Sequence, residues 1–74
     1  MKRVGTVSRV AQGVAIVRLD DDPPEIGTAV LDDSLSTVGR IVDVFGPVDR
    51  PYVAVSPAGG VTPASLVGSK LYAR

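Results

Sequence analysis

Neither cysteine nor histidine occurs among the 74 residues of this chain. Without cysteine no disulfide can staple the fold, and without histidine as well the usual ligand set of a structural zinc site is missing. The same two absences remove the Ser–His and Cys–His pairs on which nucleophilic catalysis rests. Aromatics are scarce too, at three: Phe45, Tyr52 and Tyr72. No apolar run exceeds a few residues, so a transmembrane helix is not expected, and no cationic, hydrophobic leader opens the chain. A soluble, cytoplasmic protein with no membrane association is the expectation. The lack of cysteine fits a reducing compartment.

Charge of one sign is also missing. Eight basic residues balance eight acids. Stand-alone nucleic-acid binders usually carry a basic patch, because phosphate contacts dominate their affinity. Basic residues scattered this way along the sequence are not expected to form one. Seven of the eight acids are Asp and only two residues are Lys, a mix that hints at a salty cytoplasm.

What is present is a core. Hydrophobic residues make up 45% of the sequence, which argues against disorder. A chain of this length holds one domain, spanning residues 1–74, and buries only about 60% of the surface its unfolded form exposes. Valine is abundant, and β-branched residues favour strands. Gly and Pro recur at short intervals, and no apolar repeat of helical period is sustained. The spacing predicts an all-β chain of six short strands.

The first strand is expected over Lys2 to Val10, a turn at Ala11-Gln12-Gly13, and the second strand over Val14 to Leu19. Asp20-Asp21-Asp22-Pro23-Pro24-Glu25 then breaks the ladder, since Pro cannot donate a backbone hydrogen bond. Strand three falls near Thr28 to Leu31, and Asp32 to Ser36 reads as a loop. Strand four covers Thr37 to Phe45, and strand five Tyr52 to Val55. Ser56 to Ala64 is another loop, and the last strand lies near Ser69 to Ala73. Strands at this spacing suggest a sandwich or a barrel. In so short a chain a single closed barrel is the more economical, because closure removes unpaired edges.

Alternation along strand four places Val38, Arg40, Val42 and Val44 on one face and Gly39, Ile41, Asp43 and Phe45 on the other. Large apolar groups therefore occupy both faces, although a small barrel needs only one. The following loop, Gly46-Pro47-Val48-Asp49-Arg50-Pro51, holds two prolines and a valine between Phe45 and Tyr52. Loops usually sit at the surface, and proline reduces the entropy lost on docking. Two readings stand on pattern alone. The loop is a stiff interface anchor, or it folds back to cap the barrel's own core.

The stretch Val38-Gly39-Arg40-Ile41-Val42-Asp43-Val44-Phe45-Gly46-Pro47-Val48, with Pro51-Tyr52-Val53, resembles the signature of the archaeal glycine-arginine-rich-protein family. Members of that family are small core subunits of H/ACA ribonucleoproteins. Lys2-Arg3-Val4-Gly5 and Gly68-Ser69-Lys70-Leu71-Tyr72 resemble the family's two ends, so the likeness spans nearly the whole chain. It implies a six-stranded closed β-barrel like the second domain of translation elongation factors. It also implies a non-catalytic role in rRNA pseudouridylation and ribosome biogenesis. The implied partner is the catalytic subunit of the pseudouridine synthase, whose mobile loop closes over substrate RNA. Engaging that loop would aid loading of substrate and release of product. Guide RNA and substrate rRNA are reached only indirectly, through the complex. The partner-binding residues expected from the resemblance and the pattern together are Val38, Arg40, Val42, Val44, Phe45, Gly46, Pro47, Val48, Pro51 and Tyr52. Phe45 and Gly46 are expected to shape the turn as well. Some members carry basic or arginine-glycine-rich tails. Here the sequence ends at Tyr72-Ala73-Arg74, so tail-mediated RNA contact is not expected.

The remaining features have bland explanations. Asp20-Asp21-Asp22 with Glu25 offers the oxygen ligands of a hard cation but lacks the spacing of a calcium loop, and reads as a solvated turn, as does Asp32-Asp33. Gly59-Gly60 lacks the following Lys-Ser/Thr of a phosphate loop. Lys2, Arg3 and Arg9 read as ordinary charged surface. No cofactor, metal or small-molecule ligand is expected. Two alternatives to the docking subunit are a stand-alone RNA-binding barrel and a barrel from a translation or ribosome-maturation factor, since fold alone does not separate these.

Overall fold

A computed structural model describes residues 2–20 and 22–73 of the protein. Six strands form: β1 (Lys2–Ala11), β2 (Val14–Leu19), β3 (Ala29–Leu31), β4 (Thr37–Phe45), β5 (Tyr52–Pro57) and β6 (Lys70–Ala73). One short 3-10 turn, Pro63–Leu66, interrupts the connection from β5 to β6. β2 and β4 lie where the alternation and turn signals put them. β5 runs two residues further than expected, to Pro57, and β3 and β6 each start one residue later.

The strands close into an antiparallel barrel in the order β1-β2-β5-β4-β3-β6. β1 and β2 are joined by a tight turn in which Gln12 and Gly13 both have positive φ, 52° and 80°. That backbone matches the right-handed twist of the strands it connects. The chain ends meet, because β6 pairs with β1 (Arg3 with Tyr72, Thr6 with Lys70) and with β3. Among the described residues no helix is long and apolar enough to cross a membrane.

Inward positions of every strand fill the interior. Val7, Val17, Val30, Ile41, Val53, Val55 and Leu71 are at most 1% exposed. Val4, Ala15, Val38 and Ala73 complete the cluster, and Leu66 of the 3-10 turn packs on it. Each such side chain contributes roughly 1.5–3 kcal/mol on burial. No buried side-chain polar atom among the described residues lacks a hydrogen-bond partner. The core is therefore made by small β-branched residues, as the valine content requires.

Two slips in register set the course of β4. Pairing with β3 shifts between Val30 and Leu31, whose partners are Gly39 and Thr37. Pairing with β5 shifts between Ile41 and Asp43, so that Val42 has no partner across the ladder. Such bulges bend a strand and break its strict alternation of faces. Gly39 sits where β4 crowds β5. A Cβ there would press on the Ser56 carbonyl oxygen and lie 2.7 Å from Val55 Cγ1.

Candidate protein interface

The slips change which β4 residues look outward. Val38 is 4% exposed and belongs to the core, and Val44 is half-buried against it. Alternation put both on one face with Arg40 and Val42; the structure separates them, with Val38 and Val44 inward and Arg40 and Val42 outward. Regular alternation would carry Ile41 and Val44 to opposite faces. The extra residue at Val42 brings both inward, opposite Val55 and Val53. Arg40 and Val42 remain exposed, as does Phe45 at the strand's end.

The loop after β4 lies outside the core, beside the end of β2. Gly46 turns the chain with φ of 96°, and a Cβ there would sit 3.1 Å from the Tyr52 ring and 3.3 Å from the Arg50 carbonyl oxygen. Only glycine takes that conformation without strain. The Arg50 amide donates to the Pro47 carbonyl at 3.1 Å, closing a turn with Val48 at its tip. Val48 is fully exposed. Pro47 is exposed, and Pro51 is half-buried. None of these joins the core cluster, so the loop does not cap the barrel's interior. Of the two readings left open by the pattern, the geometry keeps the outward one.

Phe45 and Tyr52 pair across the mouth of the β4–β5 hairpin. Their rings stack with centroids 5.9 Å apart and planes 18° from parallel. The stack forms one wall of a shallow cavity of about 390 Å³, whose other walls are Ser8, Arg9 and Ile16. A second depression, of about 240 Å³, runs from Val48 and Pro51 to Leu19 and Pro23.

Two residues beside the stack escaped the sequence reading. Ile16 and Ala54 pair with each other across β2 and β5. They point away from the core cluster, yet are only 5% and 7% exposed. Their signal was available. Val14 to Val17 and Val53 to Val55 are apolar on both faces, the same surplus that drew attention to strand four.

Asp32 has a structural duty: its carboxylate accepts from the amides of Ser34 and Ser36 at 2.9 and 3.0 Å. Asp20 pairs with Arg3 at 2.9 Å. Asp21, the middle of the acidic run, lies outside the described residues.

Exposed apolar groups of β4 and of the loop tip thus lie beside a stacked aromatic pair on the outside of the barrel. The sequence matches the family described as Gar1/Naf1 RNA binding region over residues 1–74. It is also 29% identical over 75 residues to a Methanothermobacter thermautotrophicus protein described as uncharacterized, across 97% of this chain and 82% of that one. The chain therefore belongs to the Gar1/Naf1 family, accessory rather than catalytic proteins of the H/ACA ribonucleoprotein, which associate with RNA and the other H/ACA proteins in rRNA pseudouridylation.

Proposed function

We propose that this protein is the subunit that docks on the catalytic domain of the pseudouridine synthase in the cytoplasmic H/ACA particle. In that position it assists loading of substrate RNA and release of product. The observation that carries the reading is the loop tip: Val48 and Pro47 are exposed on a turn that contributes nothing to the core. An apolar group so placed gains free energy only when a partner covers it. Phe45, Tyr52, Gly46 and Pro51 hold the tip in place, and Arg40 and Val42 extend the outer surface of β4. Val38 and Val44, which pack in and against the core, are left out of this proposal.

The test is co-purification with the synthase. The native chain is expected to hold the synthase through washing. The double variant Pro47→Asp with Val48→Asp is expected to lose it while keeping the thermal transition of the native barrel. Retention of the synthase by a folded double variant would remove the loop from the interface. No association of the native chain with any pseudouridine synthase would remove the function.

A further inference from the structure

β4 outruns its neighbour on one side. Its pairing with β3 ends at Ala29 and Arg40. Thr28 and Gly27 carry the ladder one residue further. The Ile41 amide donates to the Thr28 carbonyl at 2.9 Å, and the Gly27 amide donates to the Ile41 carbonyl at 2.7 Å. There the chain leaves β4 in a turn closed by the Thr28 amide on the Glu25 carbonyl. β4 runs on to Phe45 beside β5 alone. Among the described residues, Val42 to Phe45 therefore form a strand edge with no ladder on the β3 side.

Pairing fixes where the backbone groups of that edge point. In an antiparallel ladder, opposed pairs alternate between those that exchange both hydrogen bonds and those that exchange none. Ile41 spends its amide and carbonyl on the β3 side, so Ile41 and Val55 exchange none. The next residue along β5, Ala54, turns its groups toward β4. Val53 turns away again, and so does its partner Val44. The Val44 amide and carbonyl thus face the open edge. Such groups are a template for pairing with another chain. The amide is already taken: the Asp43 carboxylate accepts it, with Oδ1 2.8 Å from the Val44 nitrogen. Asp43 is exposed, as are Val42 and Phe45 on either side of this pair.

A second copy of the chain carries the matching edge. Two such strands related by a two-fold axis at Val44 offer each other the same amide and the same carbonyl, the self-complementary contact of a symmetric dimer. Val42 and Phe45 lie within that pairing and would be covered by it. We propose that Asp43 keeps β4 of this protein from pairing with β4 of a second copy, by holding the Val44 amide on its own carboxylate. Charged side chains are a general protection of sheet edges. Here the charge also occupies the donor that pairing needs. Pairing must break that bond and set Asp43 of each copy opposite Phe45 of the other, where a carboxylate loses water without gaining a partner. Gly46 follows Phe45 directly, so a paired edge would crowd the loop after β4, and the Asp43–Val44 contact leaves that loop free. The inference concerns the chain by itself and does not rest on docking to the synthase.

The experiment is sedimentation equilibrium of the full chain over a concentration series, with hydrogen exchange read at the Val44 amide. The native chain is expected to stay monomeric throughout. Asp43→Ala removes the acceptor without adding apolar area. Its apparent mass is expected to rise with concentration toward twice the native value. Asp43→Asn keeps an acceptor oxygen and is expected to stay monomeric. Adding Val44→Pro to Asp43→Ala is expected to restore the monomer, because proline has no amide to offer and is tolerated on an edge where that amide faces out of the ladder. Should the proline variant fail to fold, exchange in Asp43→Ala reads the same contact: fast at Val44 when dilute, slowing as the concentration rises. A monomeric Asp43→Ala at every concentration would overturn the inference. So would Asp43→Asn dimerising as readily as Asp43→Ala, since charge repulsion alone would then be the protection. A dimer that survives Val44→Pro, or that leaves Val44 exchange independent of concentration, would place the contact elsewhere and overturn it too.

Discussion

Phe45 and Tyr52 lie directly opposite each other where β4 and β5 open into the loop, with rings 5.9 Å apart and nearly parallel. This contact closes the base of the turn. A stacked pair contributes about 0.5–1.5 kcal/mol beyond its area burial. Phe45→Ala and Tyr52→Ala in a double-mutant cycle by chemical denaturation are expected to show coupling of that size. Coupling indistinguishable from zero would mean that the rings only share a neighbourhood.

Val38 and Val42 are four residues apart on one strand and do opposite work. Val38 is inside the core, whereas Val42 is 44% exposed at the bulge. Val38→Ala is expected to cost about 2 kcal/mol, from lost burial and the cavity left behind. Val42→Ala is expected to stay within about 0.5 kcal/mol. In a domain of this size each kcal/mol moves the thermal midpoint by about 4–8 °C, so the two variants separate in one melting series. Equal losses would contradict the bulge.

That contrast marks the boundary of what the sequence made legible. Strand positions followed from β-branched residues between Gly and Pro, and β2 and β4 have the expected limits. Closure followed from the economy of a short chain. The facing of β4 did not, because a bulge inserts a residue without any composition signal. Gly39 is the nearest local trace, since it permits the close approach to Ser56. The outward loop was half-legible: Pro47, Val48 and Pro51 announced stiffness and surplus apolar surface, but not whether they faced the core or water.

Gly39 supplies a sharp test of the β4–β5 approach. Adding a methyl group there forces backbone against backbone, which no rotamer change relieves. Gly39→Ala is expected to destabilise by about 1–3 kcal/mol, the range for overpacking. Gly59 is the control, since nothing lies within 4 Å of its added Cβ. Gly59→Ala is expected to be neutral or slightly stabilising, through the lower entropy of the unfolded chain. The pair is read by denaturant midpoints.

Asp32 organises the turn between β3 and β4 by accepting two backbone amides, those of Ser34 and Ser36. Within that turn Leu35 has φ of 65°, an uncommon conformation for a branched side chain. Asp32→Ala removes the one oxygen, Oδ1, that accepts both amides, and is expected to cost about 1–2 kcal/mol. Asp32→Asn keeps an acceptor oxygen and is expected to recover at least half of the loss. Hydrogen exchange at Ser34 and Ser36 reports the same contacts locally, with faster exchange in the alanine variant. Unchanged exchange would assign the turn to its backbone bonds alone.

Val48 offers the cleanest separation of folding from docking. A fully exposed side chain at the tip of a turn makes no contribution to the core that its removal could reveal. Val48→Asp alone is therefore expected to leave stability within about 0.5 kcal/mol. On a docked surface the same change buries a carboxylate against apolar atoms, which is costly unless the charge finds a partner. Association with the synthase is expected to weaken at least tenfold, about 1.4 kcal/mol. A hydrophobic replacement, Val48→Leu, is expected to keep association within a few-fold, because the contact needs apolar area at the tip. Equal weakening by Leu and Asp would mean that the partner reads the shape of the turn and that Pro47, rather than the valine, is its anchor.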